Sequence, residues 1–542
     1  MTDALNQDTT YGYDELGQQI SQTDANNQPT TFEYDSMGRR IGRTLPLGQT
    51  ESFQYDLAGN LTDKTDFNGK VTTFAYDSLN RLMTKTPDPS FGAPGVSFTY
   101  TASGQRASMT DASGLTTYTY DNRDRLTDKD SLRGALTYTY NLTGNLASIR
   151  SSHIDGVSID YSYDTLNRLA TVTDNNLANG VTDYHYDLVG NLAGYDYPNG
   201  TSTAYTYNNL NRLTDMSVDQ AGTVLARYTY TLGQTGNRLS VAELGGRSVA
   251  YAYDALYRLK QEAITGGTSN GQVDYIYDKA GNRLSRTSTL APIANQTFTY
   301  DENDRLNTDT YDANGNTTGS SGKTYAYDFE NHLSSQNGTQ VGIVYDGDGN
   351  RAAETAGGVT TEYLVDTLNP TGYAQVLEEI VNGQVATRYT YGSDLISQSR
   401  KAGSIWNTHF YGYDGHGSVR FLMDGNGQVT DRYDYEAFGN LIGVTGGTAN
   451  SYLYSGEQRD FGLGLDYLRA RYYSHEQGRF RTRDSVAGQS FDPPSLRASN
   501  YTKVNPVNWL DPSGNFTLSE LTASSEYNLF FVFKSPSKPY LR

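Results

Sequence analysis

An all-β fold is predicted by the 542-residue sequence: a solenoid of β-hairpins that spirals into a hollow shell. The first observation is an internal repeat, aromatic–x–Tyr–Asp, whose copies lie 20 to 24 residues apart as far as residue 300. The second is the composition, since Tyr occurs 46 times and its side chain buries a large area when ordered. The third is that the longest apolar run, Leu529–Phe533, is far shorter than the roughly 20 residues of a membrane span.

The period of the repeat identifies a stacked architecture rather than a series of independent domains. The repeated tyrosines are Tyr13, Tyr34, Tyr55, Tyr76, Tyr100, Tyr120, Tyr140, Tyr163, Tyr186, Tyr207, Tyr230, Tyr253, Tyr277 and Tyr300, with shorter copies at Tyr311, Tyr327, Tyr345 and Tyr363 and regular copies at Tyr391, Tyr413 and Tyr435. Each copy therefore supplies one supersecondary unit of about 22 residues, enough for two short strands and two turns.

Each unit is predicted to be a β-hairpin. In the copy around Tyr34, alternation places Phe32 and Tyr34 on one face of a strand. Asp35 then accepts backbone hydrogen bonds at the start of a turn, and Gly38 supplies the positive φ near its end. Asn tolerates the same left-handed conformation and replaces this Gly at Asn80, Asn167 and Asn211.

Stacking of the units is obligatory, because a single hairpin is marginal in water. Stacked copies are expected to place equivalent tyrosines above one another, about 4.8 Å apart, as an aromatic ladder. Because strands twist, so long a sheet must curl, and a spiral or closed shell also removes exposed strand edges. The tyrosines are therefore interpreted as packing residues rather than ligand contacts.

Composition excludes several classes of function. The net charge of −19 opposes binding to phosphate backbones, so we expect no nucleic-acid partner. The absence of Cys excludes disulfides, thiolate metal sites and cysteine nucleophiles, and no cofactor or metal ion is expected. Residues 1–8 lack the basic and apolar regions of a signal peptide, so no signal peptide and no membrane span are predicted.

These units resemble the YD repeats of the Rhs family over about residues 11–440, and Tyr275–Leu284 is one such copy. A more specific resemblance, to the Rhs repeat-associated core domain, follows. It rests on the segments Tyr433–Asn440, Tyr454–Asp460, Gly464–Tyr473, Gly478–Phe480 and Asn505–Gly514.

The resemblance implies a function as well as a fold. Members that include Tc toxin C components, bacterial Rhs effectors and teneurins form a hollow β-cocoon. It implies a YD-repeat shell over 1–432, a core domain over 433–514 and a variable tail over 515–542. The shell would enclose its own C-terminal segment as cargo, with a capping or delivery protein as partner, in a bacterial polymorphic-toxin system that is secreted or cell-surface through a specialised route.

The resemblance also implies a single in-cis cleavage by an aspartyl-protease-like site. The matching positions are Arg483, Asp484 and Asp511, and Lys503 is a second candidate cation; the expected scissile bond lies near Asn515–Phe516. Two carboxylates held close together share one proton, so that one acts as base and the other as acid.

Three departures from the family motif bear on this site. Ser485 stands where the family has Pro, an extra residue precedes Gly488, and Asn515 replaces the usual aliphatic residue. The segment Asp511–Gly514 also has the sequence of a type I turn, so a purely structural role is the alternative. The 28 residues after Gly514 are too few for a catalytic domain, so the enzyme activity expected is at most this autoproteolysis.

A different class of function is an extracellular adhesion or carbohydrate-binding module, because arrays of exposed Tyr can stack on sugar rings. The predicted inward orientation of the tyrosines counts against it. A protease that acts on other proteins is a third hypothesis, disfavoured because an enclosed site reaches only its own tail.

Overall fold

The computed structural model describes residues 1–338, 340–484, 499–515 and 517–519. Over these residues the fold is all-β, with 47 strands, as the sequence predicts. Short 3-10 turns lie at Pro89–Phe91, Tyr454–Gly456 and Thr502–Val504. Within the described ranges no helix has the length and apolarity needed to cross a membrane.

Two long antiparallel sheets make up most of the molecule. The first contains β1–β27, in order Thr10–Tyr13, Gln19–Thr23, Pro29–Tyr34, Arg40–Thr44, Thr50–Tyr55, Leu61–Thr65, Val71–Tyr76, Leu82–Thr86, Val96–Tyr100, Arg106–Asp111, Gly114–Tyr120, Leu126–Ser131, Gly134–Tyr140, Leu146–Ser151, Ser158–Tyr163, Leu169–Asp174, Val181–Tyr186, Leu192–Asp196, Thr201–Tyr207, Leu213–Gln220, Thr223–Leu232, Arg238–Glu243, Ser248–Tyr253, Leu259–Thr265, Gly271–Tyr277, Arg283–Ser288 and Gln296–Thr297.

The second sheet and two small ones follow in the chain. The second contains β28–β41, in order Thr310–Tyr311, Thr317–Ser320, Lys323–Tyr327, Leu333–Gln336, Val341–Tyr345, Arg351–Ala356, Val359–Asp366, Gln375–Val381, Gln384–Tyr391, Leu395–Ala402, Ile405–Tyr413, Val419–Met423, Val429–Tyr435 and Leu441–Thr445. A four-stranded sheet contains β42–β45, at Gln458–Asp460, Leu465–Leu468, Arg471–Ser474 and Arg479–Phe480, and the last pair is β46 and β47, at Trp509–Leu510 and Leu518–Ser519.

The repeat motif forms hairpins with the predicted turn chemistry. Asp254 Oδ1 accepts hydrogen bonds from the N–H groups of Leu256 and Arg258, at 2.9 and 3.0 Å. The left-handed conformation is confirmed at Gly38, with φ +79°, and at Asn80, with φ +59°. Pairing shifts register immediately before the repeated Tyr, so a bulge re-aims that side chain.

Arginines, rather than stacked phenols, connect successive repeats. Arg258 pairs with Asp254 at 2.6 Å, donates to the carbonyl of Asp278 at 3.0 Å, and lies 5.1 Å from the ring centre of Tyr277. The Tyr277 hydroxyl donates to the carbonyl of Leu259 at 2.6 Å. The expectation of a direct aromatic ladder is therefore wrong. Each repeat contributes two strands, so equivalent tyrosines are about 9.6 Å apart, and in this copy the guanidinium lies over the ring of Tyr277.

Removal of this arginine should lower the free energy of unfolding more where the side chain is more deeply buried. The Arg258 side chain is 10% exposed and that of Arg81, in the same motif position, is 27% exposed. We expect Arg258→Ala to lower the free energy of unfolding by about 1.5–3 kcal/mol, the range for hydrogen bonds to charged groups. Arg81→Ala, the matched control, should lower it by about 1 kcal/mol or less. Urea denaturation measures both, and equal losses would contradict the link between burial and the strength of this contact.

The ribbon of hairpins closes on itself as a tapering spiral. We call residues 10–277 its first coil and residues 278–445 its second coil. Contacts between successive coils give the length of one coil in residues: Asn26 with Asp278 spans 252, Tyr161 with Tyr391 spans 230, and Tyr275 with Glu436 spans 161. The circumference therefore shrinks along the chain. In the first coil, the turns that lie between two YD motifs contact the second coil. Their partners are the turns that follow the YD motifs of the second coil, as in the contact of Gln49 with Asn303.

The main hydrophobic core lies at the narrow end of the spiral. It joins first-coil residues such as Ile149 and Tyr228 to second-coil residues such as Tyr411, and to Tyr473 of the four-stranded sheet. Tyr473 and Tyr501 pack with ring centres 4.2 Å apart. This packing closes the narrow end and fixes the position of the segment that contains Asp511.

Candidate functional site

A cavity of about 910 Å³ lies between the two coils and the C-terminal strands. Its wall includes Leu188 and Leu213 of the first coil, Asp394 of the second coil, and Arg469 and Asp511 near the C-terminal end of the described chain. A space of this size holds a small molecule or a short stretch of chain rather than a folded domain.

The segment Asp511–Gly514 is a turn at the wall of this cavity. The Gly514 N–H donates to the Asp511 carbonyl at 3.3 Å, and Gly514 has φ +72°. The Ser513 hydroxyl donates to Asp511 Oδ1 at 3.2 Å and accepts a hydrogen bond from the Asn515 N–H at 3.1 Å. β46 immediately before the turn pairs with β47 after it, so the chain folds back beside the cavity.

Arg471 brings the two predicted catalytic carboxylates together. One of its terminal nitrogens lies 2.8 Å from Asp484 Oδ2 and 3.5 Å from Asp511 Oδ2. These two oxygens therefore cannot lie farther apart than 6.3 Å, the two contact lengths taken together. The Arg471 Nε donates to the carbonyl oxygen of Gly514, and the guanidinium stacks on Phe480 at 3.6 Å.

The Arg471 side chain is buried beside the two carboxylates. Burial lowers the pKa of Arg471, and the negative charges of Asp484 and Asp511 oppose that shift. Two carboxylates that lie this close can share one proton. The arrangement has the parts of an acid–base pair beside a peptide carbonyl.

A second arginine anchors the turn itself. Arg469 NH1 lies 2.9 Å from each carboxylate oxygen of Glu457 and donates to the carbonyl of Pro512. Burial raises the pKa of Glu457, and the Arg469 charge opposes that shift. No role was predicted for Arg469 or Arg471 from the sequence. Their close spacing in the segment Arg469–Tyr473 is the feature that could have identified them.

Each of the two cations proposed from the sequence lies over an aromatic ring. Arg483 lies 5.8 Å from the ring centre of Phe67 in the first coil, and burial lowers its pKa to about 10. Among the described residues it is Arg471, rather than Arg483, that contacts both carboxylates. Lys503 Nζ lies 4.8 Å from the ring centre of Trp509.

Part of the predicted site lies outside the described residues. This holds for Phe516, on one side of the expected scissile bond, and for Ser485 and Gly488, which depart from the family motif. The described part of the site consists of Asp484, Asp511, Arg471 and the turn that ends at Gly514.

Parts of the chain match a known family model and are similar in sequence to known proteins. The RHS Repeat family model matches residues 13–50, 55–90 and 100–136. The chain is 31% identical over 284 residues to the tRNA3(Ser)-specific nuclease WapA of Bacillus spizizenii, and 30% identical over 282 residues to the tRNA nuclease WapA of Bacillus subtilis. Each alignment covers 49% of this chain and 12% of the relative, so the chain corresponds to a small part of those proteins.

Solved structures share the fold over nearly the whole chain. A TcdB2-TccC3-Cdc42 crystal structure matches 96% of this chain and 30% of its own, with a TM-score of 0.77 and 17% identity. A Photorhabdus luminescens Tc holotoxin pore matches 94% of this chain and 29% of its own, with a TM-score of 0.79 and 17% identity. At this level of identity the likeness establishes a common fold.

Proposed function

Because this chain is an Rhs (YD-repeat) protein, we propose that it is the shell of a toxin system that encloses its own C-terminal segment. We propose further that the shell cuts the chain once, in cis, near Asn515–Phe516. The observation that carries the proposal is the position of the Asp511–Gly514 turn. Asp511 and Pro512 line the cavity, so the following residues start from the cavity wall.

In the proposed cleavage, Asp484 and Asp511 divide the acid and base roles. The ionised carboxylate takes a proton from water, whose oxygen attacks the scissile carbonyl, while the protonated carboxyl gives its proton to the leaving amine. One water is consumed, and the products are a new carboxyl terminus on the shell and a new amino terminus on the tail. Arg471 holds both carboxylates and, through Gly514, fixes the chain beside them.

Arg483 and Lys503 enter the proposal as positioning residues. Arg483 packs on Phe67 and so ties the segment that contains Asp484 to the first coil. Lys503 packs on Trp509, two residues before Asp511. Each would act through the placement of an aspartate.

The wide end of the spiral supports the proposed capping or delivery partner. YD turns of the first coil carry fully exposed leucines at Leu57 and Leu142. Exposed apolar side chains on this rim favour contact with another protein, which we place in a secreted or cell-surface delivery system.

Intact-mass analysis of the purified full-length chain tests the cleavage. We expect a shell that ends near residue 515 and a separate tail, with their masses together exceeding that of the chain by one water. Asp484→Asn and Asp511→Asn should each leave a single uncut mass, because neither variant retains both carboxylates. Asp130→Asn, an exposed aspartate on the shell wall, is the matched control and should be cut.

Loss of cleavage must be separated from loss of fold. The circular dichroism spectrum of each aspartate variant should match that of the control, even where loss of the ion pair with Arg471 lowers the thermal midpoint. A single uncut mass for both the unsubstituted chain and the control would overturn the cleavage proposal. Continued cleavage in a folded Asp511→Asn variant would overturn the assignment of this residue.

A further inference from the structure

The carboxylate of Asp394 faces the cavity without a partner. It lies in the turn between β36 and β37, and its side chain is open to the cavity rather than to the outer surface. Among the described residues no hydrogen bond or ion pair is formed by this carboxylate. The arginines that line the same cavity are already engaged, for example Arg168 with Asp164 at 2.6 Å and Arg469 with Glu457 at 2.9 Å.

Tyrosine rings lie on the same cavity wall as this carboxylate, among them Tyr205 and Tyr413. Tyr184, Tyr195 and Tyr205 form a cluster on the first coil, with ring centres 5.9 and 6.2 Å apart in sequence order. The Tyr184 hydroxyl accepts a hydrogen bond from the N–H of Ser393, next to Asp394, at 3.4 Å. The Asp394 charge contributes to the raised pKa of Tyr184, Tyr205 and Tyr413.

An enclosed carboxylate without a counter-charge is costly to ionise. Burial alone raises the pKa of Asp394 to about 6, and no nearby cation offsets this effect. A cation that entered the cavity would pair with the carboxylate and also lie against the faces of electron-rich rings. A carboxylate among aromatic rings is therefore complementary to an ammonium or guanidinium group.

The chain contains a segment with matching charge. Residues 534–542 include Lys534, Lys538 and Arg542 and no acidic residue, whereas the whole chain has a net charge of −19. Lys534 follows Ser519, in β47 beside the cavity, by 15 residues, which span up to about 50 Å when extended. The segment is thus long enough to return to Asp394.

We propose that the cavity is a cation-binding site in which Asp394 and its tyrosines hold a basic side chain of residues 534–542. This inference rests on the proposed enclosure of the C-terminal segment and names the contact that retains it. The interior wall would therefore bind basic peptide segments selectively.

Zero-length crosslinking with a water-soluble carbodiimide tests the contact in the full-length chain. The reagent joins a carboxyl to an adjacent amine as an amide, and the carbodiimide takes up the water that is lost. We expect mass spectrometry of the digested protein to identify an amide between Asp394 and Lys534 or Lys538. This product should be absent from Asp394→Asn and from Lys534→Gln/Lys538→Gln, and present in Glu15→Gln, which changes an exposed carboxylate on an outer turn.

Limited trypsin digestion of the folded protein separates this inference from the enclosure on which it depends. Slow cutting after Lys534, accelerated by Asp394→Asn, supports both. Slow cutting that Asp394→Asn leaves unchanged, with no crosslink, overturns the role of Asp394 and leaves enclosure standing. Rapid cutting in the unsubstituted protein overturns enclosure and, with it, the proposed contact.

Discussion

Arg351→Met should lower the free energy of unfolding by about 3–5 kcal/mol, the cost of removing one partner from a buried ion pair. The Arg351 side chain is 2% exposed. Its NH1 lies 2.9 Å from Glu354 and 3.3 Å from Asp460, and its NH2 donates to Gln458 at 2.6 Å. The substitution would leave these acids buried without a counter-charge, and burial already raises the pKa of Glu354 to about 7.

This cluster also joins two parts of the fold. Arg351 and Glu354 lie on β33 of the second coil, whereas Asp460 and Gln458 lie on β42 of the four-stranded sheet. Its loss should loosen the segment that carries Arg469 and Arg471, and so weaken cleavage as well as stability. Arg227→Met, which breaks an ion pair in which the arginine is 57% exposed, should cost about 1 kcal/mol or less. Urea unfolding measures the loss of free energy of unfolding in both variants. Similar losses in the two would show that the buried cluster does not hold the sheets together.

The hairpin solenoid could be predicted from the sequence because its determinants are local. Asp35 selects its turn by accepting the N–H groups of Met37 and Arg39, both within four residues. The side-chain alternation that defines each strand also operates over neighbouring residues. Repetition of the same short signal then reveals the architecture without knowledge of distant contacts.

Contacts between coils could not be predicted in the same way. They join residues 161 to 262 positions apart, and a change in coil length by one repeat would replace every such partner. The ladder prediction failed for a related reason, since it overlooked that each repeat inserts a second strand between equivalent tyrosines. The spacing of the rings depends on this strand order, which places Arg258 between neighbouring repeats.

The candidate site shows the same division between local and distant determinants. The turn at Asp511–Gly514 is confirmed, because Asp, Pro and Gly at these positions favour it locally. Which arginine contacts the two aspartates depends on tertiary structure. Arg483 is adjacent to Asp484 in sequence but packs on Phe67, whereas Arg471 reaches both aspartates from β44.

A pH-dependent loss of stability should originate at Glu262, which lies between the coils. Glu262 Oε2 accepts the N–H of Ala437 at 2.8 Å, and the neighbouring Glu436 accepts the hydroxyl of Tyr275 at 2.8 Å. Burial, followed by the charge of Glu436, raises the pKa of Glu262 to about 8, while Arg247 opposes the shift. The folded protein therefore retains a proton that the unfolded chain releases above its ordinary value of about 4.3. Since the folded state binds more protons, stability falls as pH rises through this interval.

Glu262→Gln isolates this contribution, because the amide oxygen can still accept the Ala437 N–H but the side chain cannot ionise. At pH 5 the variant and the unsubstituted protein should have similar free energies of unfolding. The difference should then grow in favour of the variant by up to about 1.4 kcal/mol per pH unit towards pH 8. Glu302→Gln, at an exposed turn, should follow the unsubstituted protein throughout. Parallel pH profiles for the unsubstituted protein and Glu262→Gln would mean that the carboxyl is already ionised in the folded state, and that the contact between the coils tolerates its charge.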